Sequence, residues 1–417
     1  MSDEQAASPA PETARQLRIL TSGVDRIVPE DEFVRKLDRA VATGTGLRVK
    51  LGIDPSSPDI HIGHGVPLRM LRRFQQLGHT AVLIIGDFTG QVGDPTGRSD
   101  TRRALTEDEV RENGRTYEAQ AKRILLPERL EVVRNSEWLG ALGTSGLLQL
   151  ASRMTVARML ERDDFSKRYT SGKPISIVEF MYPLLQGHDS VVVRADVEIG
   201  GTDQLFNLLV GRDLQQRDGQ EPQVALTLPL LEGLDGELKM SKSFGNYVGI
   251  TDPPGEMYGK LMSVPDRLLG KYLRLTTDLH PDDVEAIERS ADTGGKAAAD
   301  AKRRLAHEVT AIYHGEDAAR DAAAHFDRIH VERDLPTEIP ERDIPAEAIQ
   351  DGAVPLARLI AVLGLATGTS DARRKIEGRG VRVDGDVVSD PKASFAAAAL
   401  AGKVIQVGKR AFVKIRG

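Results

Sequence analysis

Two short apolar runs separated by one helix-length segment set the tightest limit on how this chain can fold. Residues 47–53 and 81–85 are short runs rich in apolar and β-branched side chains, the pattern of strands buried in a parallel sheet. Between them, residues 66–77 carry Leu68, Leu71 and Phe74 at helical spacing with basic residues opposite, and Gly78 stops the helix. A strand, helix, strand unit of this kind closes as a crossover between parallel neighbours. The expectation is an α/β doubly wound sheet of the nucleotide-binding sort.

The rest of the chain is read around that unit. A length of 417 residues suits two or three domains, and 40% hydrophobic with 28% charged residues is the balance of a soluble globular protein. No cysteine is present, which excludes disulfides, thiolate chemistry and cysteine-ligated zinc. Residues 1–24, acidic and rich in Ala and Pro at their start, read as a mobile leader without the features of a secretory signal. With no apolar run long enough to span a bilayer, no membrane partner is expected and the cytoplasm is the expected location. Residues 30–42 read as a helix, and Thr106 with Glu109 as a capping box that opens a helical stretch. Most of residues 104–169 looks helical, an insertion into the sheet. Strand signals return at 191–193, 197–199 and 224–230, and residues 254–328 are helical again. Three prolines among acids mark residues 331–351 as an extended linker.

Two polar clusters carry the chemistry. The first is Asp54, Pro55 and Ser56 followed by His61, Ile62, Gly63 and His64, placed after a strand and before a helix. Two imidazoles, a glycine that permits close backbone approach and a helix N-terminus are what a phosphate needs there. Pro67 is expected in the opening turn of that helix, where it costs little. A pair of structural histidines is the alternative reading, and without carboxylates at helical spacing no protein-ligated metal is expected. The second cluster is Lys239, Met240, Ser241, Lys242 and Ser243, in a polar loop after Gly233, Asp235 and Gly236. Two ammonium groups on a loop can close on a triphosphate and stabilise charge that grows in the transition state, although a solvated charged loop would read similarly.

Together His61–His64 and Lys239–Ser243, in this order and far apart, resemble the two hallmark motifs of the class I aminoacyl-tRNA synthetases. Tyr182, Gln186 and Asp189, then Gly200–Gln204, and the loop with Thr89, Gly90, Gly93, Asp94, Pro95 and Gly97, resemble the tyrosyl-tRNA synthetases within that class. The resemblance implies a Rossmann-like doubly wound parallel sheet over residues 25–250 with a helical insertion at about 100–180. A helical domain over 251–330, the linker and a small α+β domain over 352–417 would follow. It implies ATP as substrate with Mg2+, L-tyrosine and tRNA(Tyr) as partners, and a homodimer. Catalytic roles fall on His61, His64, Lys239 and Lys242. Asp94, Tyr182 and Gln186 would hold the α-ammonium of tyrosine, Asp189 would accept its phenolic hydroxyl, and Gln204 would lie nearby. Asp54, Ser56, Gly63, Gly201, Asp203 and the loop from Lys239 through Met240, Ser241 and Lys242 to Ser243 would border ATP. As turn caps, Asp189 and Asp203 would have a purely structural role. A tryptophan enzyme and a non-catalytic RNA-binding paralogue are the alternatives. Two departures stand out: Lys50 where many bacterial relatives have a tyrosine that shares the phenol contact, and Gly187–His188 where Ala and Tyr are commonest.

The C-terminal end has its own signature. From Ala353 onward there are 12 Lys/Arg against 5 Asp/Glu, a net +7 within a chain of net −6. A basic end on an acidic body points to a polyanionic partner, with a solvated basic surface as the alternative. Residues 354–363 and 370–376 read as short helices, Val381 to Val383 with the turn Asp384–Gly385 as a hairpin, and residues 412–415 as a last strand. This is similar to the RNA-binding domain named after a ribosomal small-subunit protein, and implies Arg373, Arg374 and Arg379 as phosphate contacts.

Overall fold

The computed structural model describes residues 9–55, 60–96, 105–330, 339–350, 352–408 and 411–416. The chain forms two compact units, Met1–Ala324 and His325–Gly417. The first is built on six strands: β1 (Arg26–Val28), β2 (Arg48–Ile53), β3 (Thr80–Ile85), β4 (Leu130–Arg134), β5 (Val197–Gly201) and β6 (Val224–Leu228), in the order β1-β6-β5-β2-β3-β4. All neighbours are parallel except β1, which runs antiparallel to β6. The chain steps outward from β2 to β3 to β4, then returns to lay β5 on the other side of β2. The order of strands reverses at that point, so the loops leaving β2 and β5 diverge and open a crevice at the carboxyl ends. Continuous apolar burial in β3 and β6 shows why these runs could only be central strands.

The helix expected at 66–77 spans Ile62–Gln76 and buries Leu68, Leu71 and Phe74 on the sheet. Because it starts four residues earlier than expected, Pro67 lies beyond the opening turn and removes the bond that the Gly63 carbonyl would have accepted. Other expectations need correction. The leader is ordered from residue 9: Pro11–Leu20 is a helix that buries Thr13, Gln16 and Leu20, and the Gln16 side chain meets His79 Nε2 at 3.1 Å. Residues 1–8 lie outside the described residues. Val191 to Val193 are not a strand but the last turn of helix Ile177–Val193, which a Ser176–Glu179 capping box starts. The helical insertion is interrupted by β4, the far edge of the sheet. Beyond β6, helices Pro254–Met262, Leu269–Thr276, Pro281–Ala291 and Gly295–His314 belong to the same compact unit as the sheet rather than to a domain of their own.

The second unit is α+β. A five-stranded sheet runs β10 (Asp386–Val388), β9 (Val381–Val383), β12 (Val404–Val407), β13 (Ala411–Ile415), β7 (Glu341–Arg342), and β8 (Val354–Pro355) pairs with β11 (Ser394–Phe395). Helices Leu356–Val362 and Thr369–Glu377 close one core with it, through Leu356, Leu359, Ile360, Ile376, Val381 and Ile405. The turn Asp384–Gly385 has φ of 55° and 90°, the left-handed pair that a tight hairpin requires. Residues 339–350 are not an extended linker. β7 pairs in parallel with β13, and Ala348 is buried in the core; residues 331–338 and Asp351 lie outside the described residues.

Candidate active site

Each element of the crevice delivers its side chains from the end of a parallel strand. Asp54 follows β2, Thr89 and Asp94 follow β3, Asn135 follows β4, and Asp203 and Gln204 follow Gly201 at the end of β5. The loop that carries Lys239 to Ser243 comes after β6. It returns beside the histidine segment through an Ile62 N–H to Val248 O bond of 2.9 Å and a bridge between His61 and Gly249. The two clusters, about 180 residues apart in sequence, therefore converge.

Local bonds fix the lysine loop. Met240 N–H donates to Leu231 O at 2.8 Å, and Ser241 N–H to the Asn246 side chain at 2.8 Å, while Asn246 Nδ2 donates to Asp235 at 2.6 Å. Met240 is buried, and a Cβ added at Gly63 would meet its Cβ at 3.5 Å and the His61 ring at 3.0 Å, so glycine lets the loop and the histidine ring close on the helix start. The rings of His61 and His64 stack with centroids 3.7 Å apart. Burial lowers His61 to about 3, helped by His64 and Lys242, and lowers His64 to about 4, helped by Lys242 and Lys239. Both imidazoles are thus neutral at neutral pH, and the positive charge of the two clusters comes from the lysines. The opening turn offers fewer free N–H groups than the sequence suggests, because His64 and Gly65 both donate to His61 O. Ser56 and Gly97 lie outside the described residues.

Deeper in the crevice, one hydrogen-bonded chain joins Tyr182 to Asp189, two of the residues expected at the amino-acid site, through Asp54, Thr89 and Asn135. Tyr182 OH donates to Asp54 Oδ2 at 2.8 Å, and Thr89 Oγ1 to Asp54 Oδ1 at 2.7 Å. Asn135 Nδ2 reaches both Thr89 Oγ1, at 3.0 Å, and Asp189 Oδ2, at 3.2 Å, and Trp138 Nε1 donates to Asp189 Oδ1 at 2.8 Å. On the other wall Gln204 Nε2 donates to Asp94 Oδ2 at 2.7 Å. Burial pushes Asp54 up to about 7, opposed by its Thr89 and Tyr182 bonds, and Asp189 up to about 6, opposed first by Lys50 and then by Trp138 and Asn135. Asp203 sits within the electrostatic reach of Asp94 and Lys239, at the entrance. Asp189 does not act as a turn cap: it lies inside helix Ile177–Val193 and is almost wholly buried.

Asn135 and Trp138 escaped the sequence reading. The signal available was weak: Trp138 is the single tryptophan of the chain, and a buried indole N–H needs an acceptor. The departure at Gly187 has a local cause. A Cβ at Gly187 would meet Leu214 at 2.9 Å and the Gly211 nitrogen at 3.2 Å, so the close approach of helix Leu205–Arg217 is compatible with glycine there. His188 lies in the field of Asp218 and Arg153.

A family model described as tRNA synthetases class I (W and Y) matches residues 43–331. The chain is 51% identical to a tyrosine--tRNA ligase of Moorella thermoacetica over 97% of this chain and 96% of that one. It is 49% identical to the tyrosine--tRNA ligase of Thermotoga maritima, over 96% and 97%. Among solved structures, a C-terminally truncated Aspergillus nidulans mitochondrial tyrosyl-tRNA synthetase superposes with a TM-score of 0.64 at 21% identity, over 76% of this chain and 94% of that one. The Archaeoglobus fulgidus tyrosyl-tRNA synthetase solved with L-tyrosine gives 0.59 at 23%, over 75% and 99%; at such identities these two speak to the fold. Converging hallmark motifs at the switch point of the sheet, together with near full-length relatives at about half identity, mean that the chain belongs to the class I tRNA synthetases of the tryptophan and tyrosine group, and within it to the bacterial-type tyrosyl-tRNA synthetases.

Proposed function

We propose that this tyrosine–tRNA ligase activates its amino acid at the crevice by positioning and electrostatics, with the residue roles that follow. The observation that carries the reading is the convergence of two neutral imidazoles and a two-lysine loop at the helix that follows β2, in a unit that also holds the buried carboxylate Asp189. The tyrosine carboxylate attacks the α-phosphorus of ATP, the bond to the bridging oxygen breaks and pyrophosphate leaves. The terminal ribose hydroxyl of tRNA(Tyr) then attacks the carbonyl of the adenylate, and AMP leaves. Since the carboxylate is already a nucleophile, activation needs no general base. His61 and His64 donate hydrogen bonds as neutral rings, and Lys239 and Lys242 supply charge at the α- and leaving phosphates. Gly63, Met240, Ser241 and Ser243 shape the phosphate wall, and Gly201 and Asp203 meet the ribose. Asp54 ties the two halves together through Thr89 and Tyr182. Asp94, Tyr182 and Gln186 hold the α-ammonium, Gln204 orients Asp94, and Asp189 accepts the phenol. Mg2+ enters as part of the nucleotide substrate. Tyrosine-dependent ATP–pyrophosphate exchange tests the whole scheme, and its absence in folded protein would refute it.

The second unit is the proposed tRNA contact. Helix Thr369–Glu377 buries Ala372 and Ile376 and leaves Arg373 and Arg374 exposed, with Arg379 exposed just beyond it. Basic side chains on one exposed face suit RNA phosphates. A chain ending at His330, which spares the first unit and does not strand β7, retains pyrophosphate exchange while tRNA charging falls about tenfold or more at physiological salt. Unchanged charging would contradict this division of labour.

The family resemblance also implies a homodimer. Leu148, Val156, Tyr169, Ile177 and Val178 are exposed apolar side chains on the insertion, a surface that favours association with a second copy. Sedimentation at the mass of a single chain would refute it. No helix among the described residues is long and apolar enough to cross a membrane, and we assign the chain to the cytoplasm, where its tRNA substrate is found.

A further inference from the structure

Lys50 stands where many bacterial relatives have a tyrosine, and its ammonium group is bonded wholly within the protein. It is completely buried, and its three ammonium donors are all used: Gln186 O at 2.8 Å, Ser190 Oγ at 2.7 Å and Glu198 Oε1 at 2.8 Å. Glu198, itself 1% exposed, is equally occupied. Its Oε1 also accepts from Gln186 Nε2 at 3.1 Å, and its Oε2 accepts from Ser190 Oγ at 3.0 Å and from Gln223 Nε2. Gln186 is therefore held twice, at its main-chain carbonyl by the ammonium and at its side-chain nitrogen by the carboxylate.

An amide held by its nitrogen has one remaining polar atom, the oxygen, and that is the atom an incoming ammonium group requires. With the nitrogen facing a ligand instead, Gln186 would repel it. The geometry points to the Lys50–Glu198 pair as a positioning device that locks the Gln186 amide with its oxygen presented to the α-ammonium of tyrosine. Charge is needed at both ends because the device is dry: a neutral lysine could not serve three acceptors, and a buried ammonium without its carboxylate would be too costly to keep. The proposal rests on the reading of Gln186 as a tyrosine contact, and Lys50 acts on Asp189 through its charge rather than by a hydrogen bond.

The test compares tyrosine with 3-(4-hydroxyphenyl)propionate, which has the phenol and the carboxylate but no α-amino group. Dissociation constants for both are measured by calorimetry in the full-length chain, with thermal unfolding as a control. In the double variant Lys50→Met with Glu198→Met, which removes both charges together, tyrosine binds about tenfold more weakly while the analogue binds as in the parent. Glu198→Asp keeps the charge pair should the double variant fail to fold, but withdraws the carboxylate from Gln186 by one methylene; tyrosine again weakens and the analogue does not. A merely structural role would weaken both ligands together or neither, and either result overturns the proposal. Gln186→Ala separates the two layers of the argument. If it weakens tyrosine alone while the Lys50 and Glu198 variants leave tyrosine untouched, the positioning role fails and the contact stands. If Gln186→Ala leaves tyrosine affinity unchanged, the contact fails and takes the positioning role with it.

Discussion

Lys242→Ala lowers tyrosine-dependent pyrophosphate exchange by about 10²- to 10³-fold, with tyrosine affinity left near that of the parent. The expectation follows from where the charge sits. His61 and His64 are held neutral by burial and by the lysines themselves, so the two ammonium groups are the cations that the histidine and lysine clusters can offer to a phosphate. Charge on the leaving pyrophosphate develops as its bond to the α-phosphorus breaks, and a cation placed for that moment is worth about 3–4 kcal/mol in a site that excludes water. Lys242 lies in the short turn Lys242–Phe244, and the substitution leaves in place the main-chain N–H bonds of Met240 and Ser241. Steady-state exchange with tyrosine and ATP varied separately checks it: kcat falls and the tyrosine KM does not. A variant that turns over at a near-parental rate would remove the loop from the mechanism.

Asp189→Asn reduces kcat/KM for tyrosine by about 10- to 100-fold and reduces the preference for tyrosine over phenylalanine by a similar factor. A hydrogen bond to a buried charged group is worth about 1.5–3 kcal/mol, and phenylalanine forfeits it outright because it brings the carboxylate no donor; tyrosine enzymes are the standard illustration of this mode of discrimination. Asparagine keeps an acceptor for Trp138 but removes the charge. The same carboxylate predicts a pH dependence in the parent. Burial raises Asp189 to about 6, so on acidification the empty pocket takes up a proton that tyrosine binding must then contend with. The tyrosine KM therefore rises as the pH falls through 6 while the ATP KM changes less. Competitive exchange of the two amino acids across pH 5.5–8 reads both effects. Undiminished discrimination in the variant would show that the phenol is recognised elsewhere.

How far the sequence could be read depended on whether a residue's role was local. β2, β3 and the helix between them were legible because central parallel strands must be apolar on both faces, and a pattern of that kind has few other uses. β4 was missed for the opposite reason. As an edge strand all five of its positions are only partly buried, and LEVVR lacks a clear period. Val191 to Val193 looked like a strand because β-branched residues favour one, yet the Ser176–Glu179 box had already committed the segment to a helix. The hairpin at Asp384–Gly385 was legible because left-handed turn residues are chemically distinctive. Within the site, the histidine and lysine motifs announced themselves by composition, whereas Asn135, Trp138 and Glu198 gained meaning only when strands distant in sequence were laid side by side. The leader was misjudged since Pro and Ala at a terminus suggest disorder, although Pro11 at the first position of a helix is well tolerated.

The indole of Trp138, hydrogen-bonded to Asp189, is the only one the chain contains. Its fluorescence is consequently a private signal from beside the proposed amino-acid pocket, undiluted by emission from other indoles. Whatever docks against that carboxylate, or neutralises it, changes the electric field along the ring and shifts the emission, so occupancy can be followed in the unlabelled protein by light alone.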